Sequence, residues 1–260
     1  MEKTVSYLSG TAAGPGRILA ASRQVELYDP ELAASPYRAG IHTCPPVDCA
    51  GGLEDCLEAV RETVYSVAGT GKMPVCLGGE HSLTLGAVRA LKEINPGFSV
   101  LHLDAHADLR DRYGGTPLSH ACVMRRVCEL GLPLVSVGVR SLSEEEADYS
   151  AAAGVRLYPG WEHIDREYPW PEIAGALADR VYISVDMDVF DPAEVPGVGT
   201  PEPGGLRWDQ ALELFRALAD AGKSVVGIDL VELCPQKDSI ISDFFTARLL
   251  YKMIGYFSAA

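Results

Sequence analysis

The sequence predicts an α/β fold built on a central, mostly parallel sheet, and three observations carry that expectation. Runs such as Phe98-Ser99-Val100-Leu101-His102-Leu103 are almost continuously apolar, which suits parallel strands covered on both faces. Apolar runs alternate along the chain with turns and with segments of helical spacing. A chain of 260 residues, 47% of them hydrophobic, is long enough for one large core, so residues 1–260 are read as a single domain.

Taken in order, the elements are unequally legible. Val5-Ser6-Tyr7-Leu8 is expected as a first strand. Gly14-Pro15-Gly16-Arg17 reads as a turn before a short helix, Ile18 to Ser22. Tyr28 to Pro46 is rich in proline and glycine, giving a loop or a short strand near Gly40 to Cys44. From Leu53 to Ala68, Leu53, Leu57, Val60, Val64 and Val67 recur at helical spacing, and Gly69-Thr70-Gly71 ends that helix. Met73 to Leu77 is a buried strand, followed by Gly78-Gly79-Glu80-His81-Ser82, a sharp turn with Ser82 as a candidate N-cap, and a helix from Leu83 to Leu91. After the strand ending at Leu103 come a loop (Tyr113 to Leu118), a helix (about Ala121 to Gly131) and a strand (Pro133 to Val139). An acidic helix from Ser143 to Ala153 has Glu144, Glu145, Glu146 and Asp148 on a solvated face. Val155 to Tyr158 is a strand, Trp161 to Pro171 a loop with a structural His163, and Glu172 to Asp179 a short helix. Arg180 to Asp191 is a strand in which period 2 directs Asp186 and Asp188 to one side. Trp208 to Ala221 is a helix, Ser224 to Leu230 a strand, and Asp243 to Tyr256 the last helix.

Acids gather where these strands end. Asp104-Ala105-His106-Ala107-Asp108 follows a buried strand at once, and such a cluster costs folding energy unless its carboxylates are neutralised, hydrogen-bonded or hydrated. The two alanines leave room for Asp104, His106 and Asp108 to reach one centre; a solvated loop is the plain alternative. Asp186 and Asp188 have no Lys or Arg between Arg180 and Arg207 to neutralise them. Glu232 again places an acid at a strand's carboxyl end. His81 sits in a strand-turn-helix, and His120 opens a helix after Ser119; each could equally be an ordinary hydrogen-bonded histidine. So many carboxylates with imidazoles exceed what one zinc takes, and suit two divalent cations about 3.5 to 4 Å apart, with Mn²⁺ favoured by the oxygen-rich set.

The formal net charge of -14 disfavours nucleic acid or an anionic membrane surface and attracts small cations. No apolar segment approaches a membrane span, and the opening residues do not lead into a signal-peptide core, so the expected location is cytoplasmic. Seven cysteines without a CxxC pair are expected as free thiols, Cys122 among them.

Gly78 to Ser82, Asp104 to Asp108, Ser119-His120, and Ser184 to Pro192 followed by Pro196 to Gly205 resemble, over about residues 75 to 250, the signature motifs of the ureohydrolase family, which includes arginases and agmatinases. The resemblance implies an arginase-like three-layer α/β/α fold with about eight strands, assembled as homotrimers or homohexamers. It implies two Mn²⁺ per subunit: one held by His81, Asp104, Asp108 and Asp186, the other by His106, Asp104, Asp186 and Asp188, with Asp104 and Asp186 bridging. His120 would match the family's proton-shuttling histidine, with Asp108 passing on a proton, and Glu232 the acid that binds a guanidinium. The loop from Pro196 to Gly205 and the stretch Ser119 to Arg126 are most similar to agmatinase. That points to cleavage of agmatine, a small cationic guanidino compound, to putrescine and urea. Arginase, guanidino-acid, aminopropylagmatine or formimidoylglutamate hydrolysis are the family alternatives; a one-zinc deacetylase or a non-catalytic metal-binding protein lie outside it. Arg110 and Arg112 could serve a substrate carboxylate or be solvated loop charges. Ala121 departs from the family, where glycine commonly follows the shuttle histidine.

Overall fold

The structure, a computed structural model, describes residues 1–164 and 166–258. Its centre is a sheet of six parallel strands: β1 (Val75–Leu77), β2 (Ser99–Leu103), β3 (Leu134–Val137), β4 (Arg156–Tyr158), β5 (Arg180–Asp186) and β6 (Ser224–Val231), in the order β1-β6-β5-β2-β3-β4. Among the described residues eight α-helices accompany it: α1 (Gly14–Ser22), α2 (Leu53–Gly69), α3 (Thr84–Ile94), α4 (Val123–Glu129), α5 (Glu144–Ala153), α6 (Trp170–Ala176), α7 (Trp208–Asp220) and α8 (Ile241–Phe257).

Strand alternation sorts the core into two layers. Val100, Leu134 and Tyr182 face α2, α3 and α4, whose Leu57, Val60, Leu85, Val88, Met124 and Val127 are buried against them. Leu101, Val135, Ile183 and Val185 face the other way, onto Ile18 of α1, Ile173 of α6, Phe215 of α7 and Leu249 of α8. Burying both faces is what makes the strands read as apolar runs rather than as alternation. Among the described residues no helix is long and apolar enough to cross a membrane.

The sheet has six strands among the described residues, not about eight. Val5 to Leu8 forms no strand: the segment around it is held by side chains instead of by a neighbouring strand, with Lys3 and Thr4 donating their N–H groups to Glu80. Gly40 to Cys44 likewise forms no strand. Gly14 to Arg17 is not a turn but the first turn of α1, where Pro15 needs no amide hydrogen. Strand β5 stops at Asp186, and Asp188 lies in a 3-10 turn, Met187–Val189. That turn, and not strand period 2, brings the two acids together, the Asp186 carboxylate accepting from the Asp188 N–H at 2.9 Å. Glu146 is buried rather than solvated, for a reason that belongs to the site.

Strands β2, β3 and β4 are laid down in one direction from the middle of the sheet, and β5 and β6 in the other. The direction reverses between β2 and β5, and the crevice outside the carboxyl ends at such a point is where open α/β sheets bind ligands. Asp104 follows β2 and Asp186 ends β5.

Candidate metal centre

Five separate segments bring the expected site residues to that crevice. His81 opens a 3-10 turn after β1, Asp104 to Asp108 follow β2, His120 opens the turn before α4, Asp186 and Asp188 follow β5, and Glu232 follows β6. Among the described residues, two groups are spaced to hold a cation: His81, His102, Asp104 and Asp108, and Asp104, His106 and Asp188, sharing Asp104.

His81 is fully buried, and its Nδ1 lies 3.1 Å from an Asp104 oxygen, 3.1 Å from Asp108 and 3.3 Å from Asp186. None of these is aligned as a hydrogen bond, so Nδ1 is a buried polar atom without a partner amid three carboxylates. On its other side Nε2 lies 2.9 Å from the Ser184 hydroxyl, which donates to Asp229 at 2.7 Å. Having given its hydrogen to Asp229, Ser184 accepts from Nε2–H, and that leaves the Nδ1 lone pair facing the carboxylates. Lone pair and carboxylates repel unless a positive charge stands between them. Against its burial, Asp104, Asp108 and Asp186 raise the His81 pKa well above its ordinary value. Burial and the neighbouring Asp188 and Asp104 push Asp186 well above the carboxylate range. A cation among these atoms relieves both, so the donor set fits divalent metal.

The second group is similar. His106 Nδ1 is 3.0 Å from Asp188 and 3.5 Å from Asp104, and despite burial those acids push it up to about 12. Asp188 is pinned by the Ala105 N–H at 3.1 Å and the Thr200 hydroxyl at 3.2 Å, Asp104 by the His106 N–H at 2.6 Å. His102 has both nitrogens engaged, Nε2 with Asp104 at 2.8 Å and Nδ1 with Ser136 at 3.1 Å, so it orients Asp104 and does not face the centre as a free donor.

Two site residues have left-handed backbone, Asp108 at φ 52° and Glu232 at φ 60°, costing about 1 to 3 kcal/mol each. Their neighbours hold them there. The Asp108 carbonyl accepts from Met124 and Arg125, the next N–H, of Leu109, goes to Glu146 at 3.1 Å, and Glu146 also accepts from Ser143 N–H and hydroxyl, both at 2.8 Å. This is why Glu146 is buried: it caps α5 and ties it to the metal loop. Glu232 donates its N–H to the Gly79 carbonyl and accepts from the His81 N–H at 2.7 Å, and burial pushes its carboxyl up to about 8.

His106, Asp108, Asp186, Asp188 and Glu232 open into a cavity of about 280 Å³ that is also lined by His120, Tyr113, Arg110 and Val5 to Leu8. Arg110 stacks over Tyr113 at 5.2 Å, while Arg112 donates to the Gly115 carbonyl and does not line the cavity. All seven cysteines are free; Cys122 is buried, which pushes its thiol up to about 11 and makes it a poor redox group.

Sequence reasoning passed over Glu80, His102, Arg140 and Asp229. Asp229 had a readable signal, an acid inside the apolar run Ser224 to Leu230, and it accepts from Tyr182, Ser184 and Thr84. Arg140 had none: its guanidinium donates to the carbonyls of Gly138, Asp188, Val189, Phe190 and Glu202, residues up to 62 positions away.

A parallel sheet that gathers imidazoles and carboxylates at its switch point defines a class of α/β proteins built to hold divalent cations. The arginase family model matches residues 1–255. The chain is 42% identical over 263 residues to an N(1)-aminopropylagmatine ureohydrolase of Synechocystis sp., across 98% of this chain and 86% of that relative. It is 37% identical over 246 residues to an agmatinase of Bacillus anthracis, across 92% and 82% respectively. The crystal structure of an agmatine ureohydrolase from Thermoplasma volcanium aligns with a TM-score of 0.88 at 34% identity, over 98% of this chain and 86% of that one. The chain belongs to the arginase family of ureohydrolases.

Proposed function

We propose that the protein hydrolyses a guanidino compound to urea and an amine, with agmatine as substrate and two Mn²⁺ per chain. One would be held by His81, Asp104, Asp108 and Asp186, the other by His106, Asp104, Asp186 and Asp188. The observation that carries this reading is the unpartnered Nδ1 of His81, aimed into three carboxylates at the edge of a cavity that also holds Glu232 and His120. When bound, such cations lower the pKa of water and supply a nucleophile at neutral pH.

The chain's own residues supply the rest. A guanidinium carbon is a poor electrophile because resonance spreads its charge, so orientation matters. Glu232, ionised beside a cationic substrate, would hold the planar group through paired charge-assisted hydrogen bonds and aim its carbon at the acid cluster. Asp108 and then His120 would deliver the proton that the leaving amine needs. Cavity residues offer no matched grip for an amino acid's carboxylate and ammonium: Arg110 is engaged with Tyr113 and stands 3.7 Å from Glu146. A second reading, with aminopropylagmatine as substrate, is favoured by the 42% identical relative of that name.

The test is urea release from agmatine, aminopropylagmatine, arginine and guanidinobutyrate with added Mn²⁺. Agmatine or its aminopropyl derivative is expected to be turned over fastest. No urea from any of the four would overturn the proposed guanidino hydrolysis.

A further inference from the structure

The first residues of the chain run along the cavity, and one buried carboxylate holds their backbone. Glu80, fully buried, accepts the N–H groups of Lys3 and Thr4, each at 2.6 Å, on one oxygen and the Ser82 hydroxyl on the other. The Glu80 N–H donates in turn to the Met1 carbonyl at 3.1 Å. Gly79 makes that approach possible, since a Cβ there would stand 1.8 Å from the Met1 oxygen. The clasp fixes Thr4 against the turn that carries His81.

From that position the Thr4 side chain meets His120. Its Oγ1 accepts from the His120 N–H at 3.0 Å and lies 3.1 Å from the ring Nδ1. A hydroxyl has a single hydrogen to donate, and among the described residues these two are the hydrogen bonds of this oxygen. With one lone pair taken by the backbone N–H, the hydroxyl hydrogen is free to point at Nδ1, 3.1 Å away. An Nδ1 that accepts that hydrogen places the hydrogen of the neutral ring on Nε2. The Ser119 hydroxyl stands 3.4 Å from Nδ1, and Ser6 lies 3.5 Å from Nε2 on the cavity lining.

We propose that Thr4 is a positioning residue for His120, holding the ring as the Nε2–H tautomer so that proton exchange with a ligand in the cavity takes place at Nε2. The proposal rests on the reading of His120 as the proton-transfer group. Its structural half, the tautomer, can be measured without turnover.

The experiment is NMR of ¹⁵N-histidine-labelled protein loaded with diamagnetic Mg²⁺, with the His120 signals identified by their loss in His120→Asn. In the native chain the neutral His120 ring is expected to show a protonated Nε2 and an unprotonated Nδ1. In Thr4→Val, which keeps the shape and removes the hydroxyl, those shifts are expected to move toward a mixture of tautomers. With whichever substrate is turned over, kcat is expected to fall roughly ten- to a hundredfold while KM stays within about twofold, and Thr4→Ser to restore both tautomer and rate. Metal content is expected to be the same in all three. A native ring carrying its hydrogen on Nδ1 would overturn the proposal even if Thr4→Val does not fold, and so would a Thr4→Val spectrum identical to the native one. Absence of urea formation would count against the proposed activity alone, because the spectra are read without it.

Discussion

At the scale of single residues, the site is set by which atom of each side chain is free. Ser184 illustrates this, since its one hydrogen goes to Asp229 and so decides which nitrogen of His81 faces the acids. Ser184→Ala removes the acceptor of Nε2–H, and metal affinity is expected to fall roughly ten- to a hundredfold, as it does when an outer partner of a ligating histidine is lost. Calorimetric titration with Mn²⁺ checks it; an unchanged Kd would mean that Ser184 does not orient the ring. Asp186→Ala is expected to lose bound metal outright, by elemental analysis, because Asp186 contacts His81 at 3.3 Å and through its 2.9 Å bond also fixes Asp188. Metal content equal to the native protein's would remove Asp186 from the proposed bridge.

At the scale of elements, the carboxyl ends of β1, β2, β5 and β6 supply the acids with His81 and His106, the turn before α4 supplies His120, and loops that look unremarkable in sequence lock them. Arg140 joins the turn after β5 to the loop around Glu202 by donating only to carbonyls, and Glu146 joins α5 to the loop behind Asp108. The segment from Met1 to Thr4 is locked by close approach to Gly79. Gly79→Ala is therefore expected to displace it, and the amides of Lys3 and Thr4, bonded to Glu80, to exchange hydrogen at least roughly tenfold faster, a loss of at least about 1.4 kcal/mol of local protection. Mass spectrometry of deuterium uptake in the first ten residues reads this directly; unaltered uptake would show that the approach is not limiting.

At the scale of the whole molecule, buried charge governs stability at both ends of the chain. Among the acids at the sheet's switch point, a cation at a hundred times its Kd adds about 2.7 kcal/mol, so chelation is expected to lower Tm by roughly 5 to 10 °C. Differential scanning calorimetry with and without EDTA tests it. Away from the site, Asp29 is fully buried and joins residues 29–34 to α8 through Lys252 at 2.8 Å and Arg248 at 3.1 Å. Burial alone would raise its pKa, but the Lys252 and Arg248 cations outweigh that and hold it below the ordinary carboxylate value. Its folded pKa thus lies below its unfolded one of about 3.9, so its contribution is complete above that pH and is lost as pH falls through the folded value. Asp29→Asn is expected to cost about 3 kcal/mol near pH 7, by leaving the buried Lys252 one partner short, and the gap from the native protein to narrow below about pH 4. Urea unfolding at both pH values measures it; a gap independent of pH would exclude the carboxylate as its source.

The chain's order of residues was enough for the parallel α/β class, for most helices and strands, and for picking out the acids and histidines that the structure gathers at the crevice, His102 excepted, because apolar period and acids at strand ends are local properties of a sequence. It misread Asp186 and Asp188 as one strand face, Glu146 as solvated and Val5 to Leu8 as a strand, and it passed over Thr4, Glu80, Arg140 and Asp229. Each of these depends on a partner far along the chain. Which nitrogen of His81 is bare, which side of His120 is held and where a buried arginine finds its acceptors were decided by tertiary structure alone, since hydrogen bonds act over about 3 Å and those distances exist only once remote segments have packed.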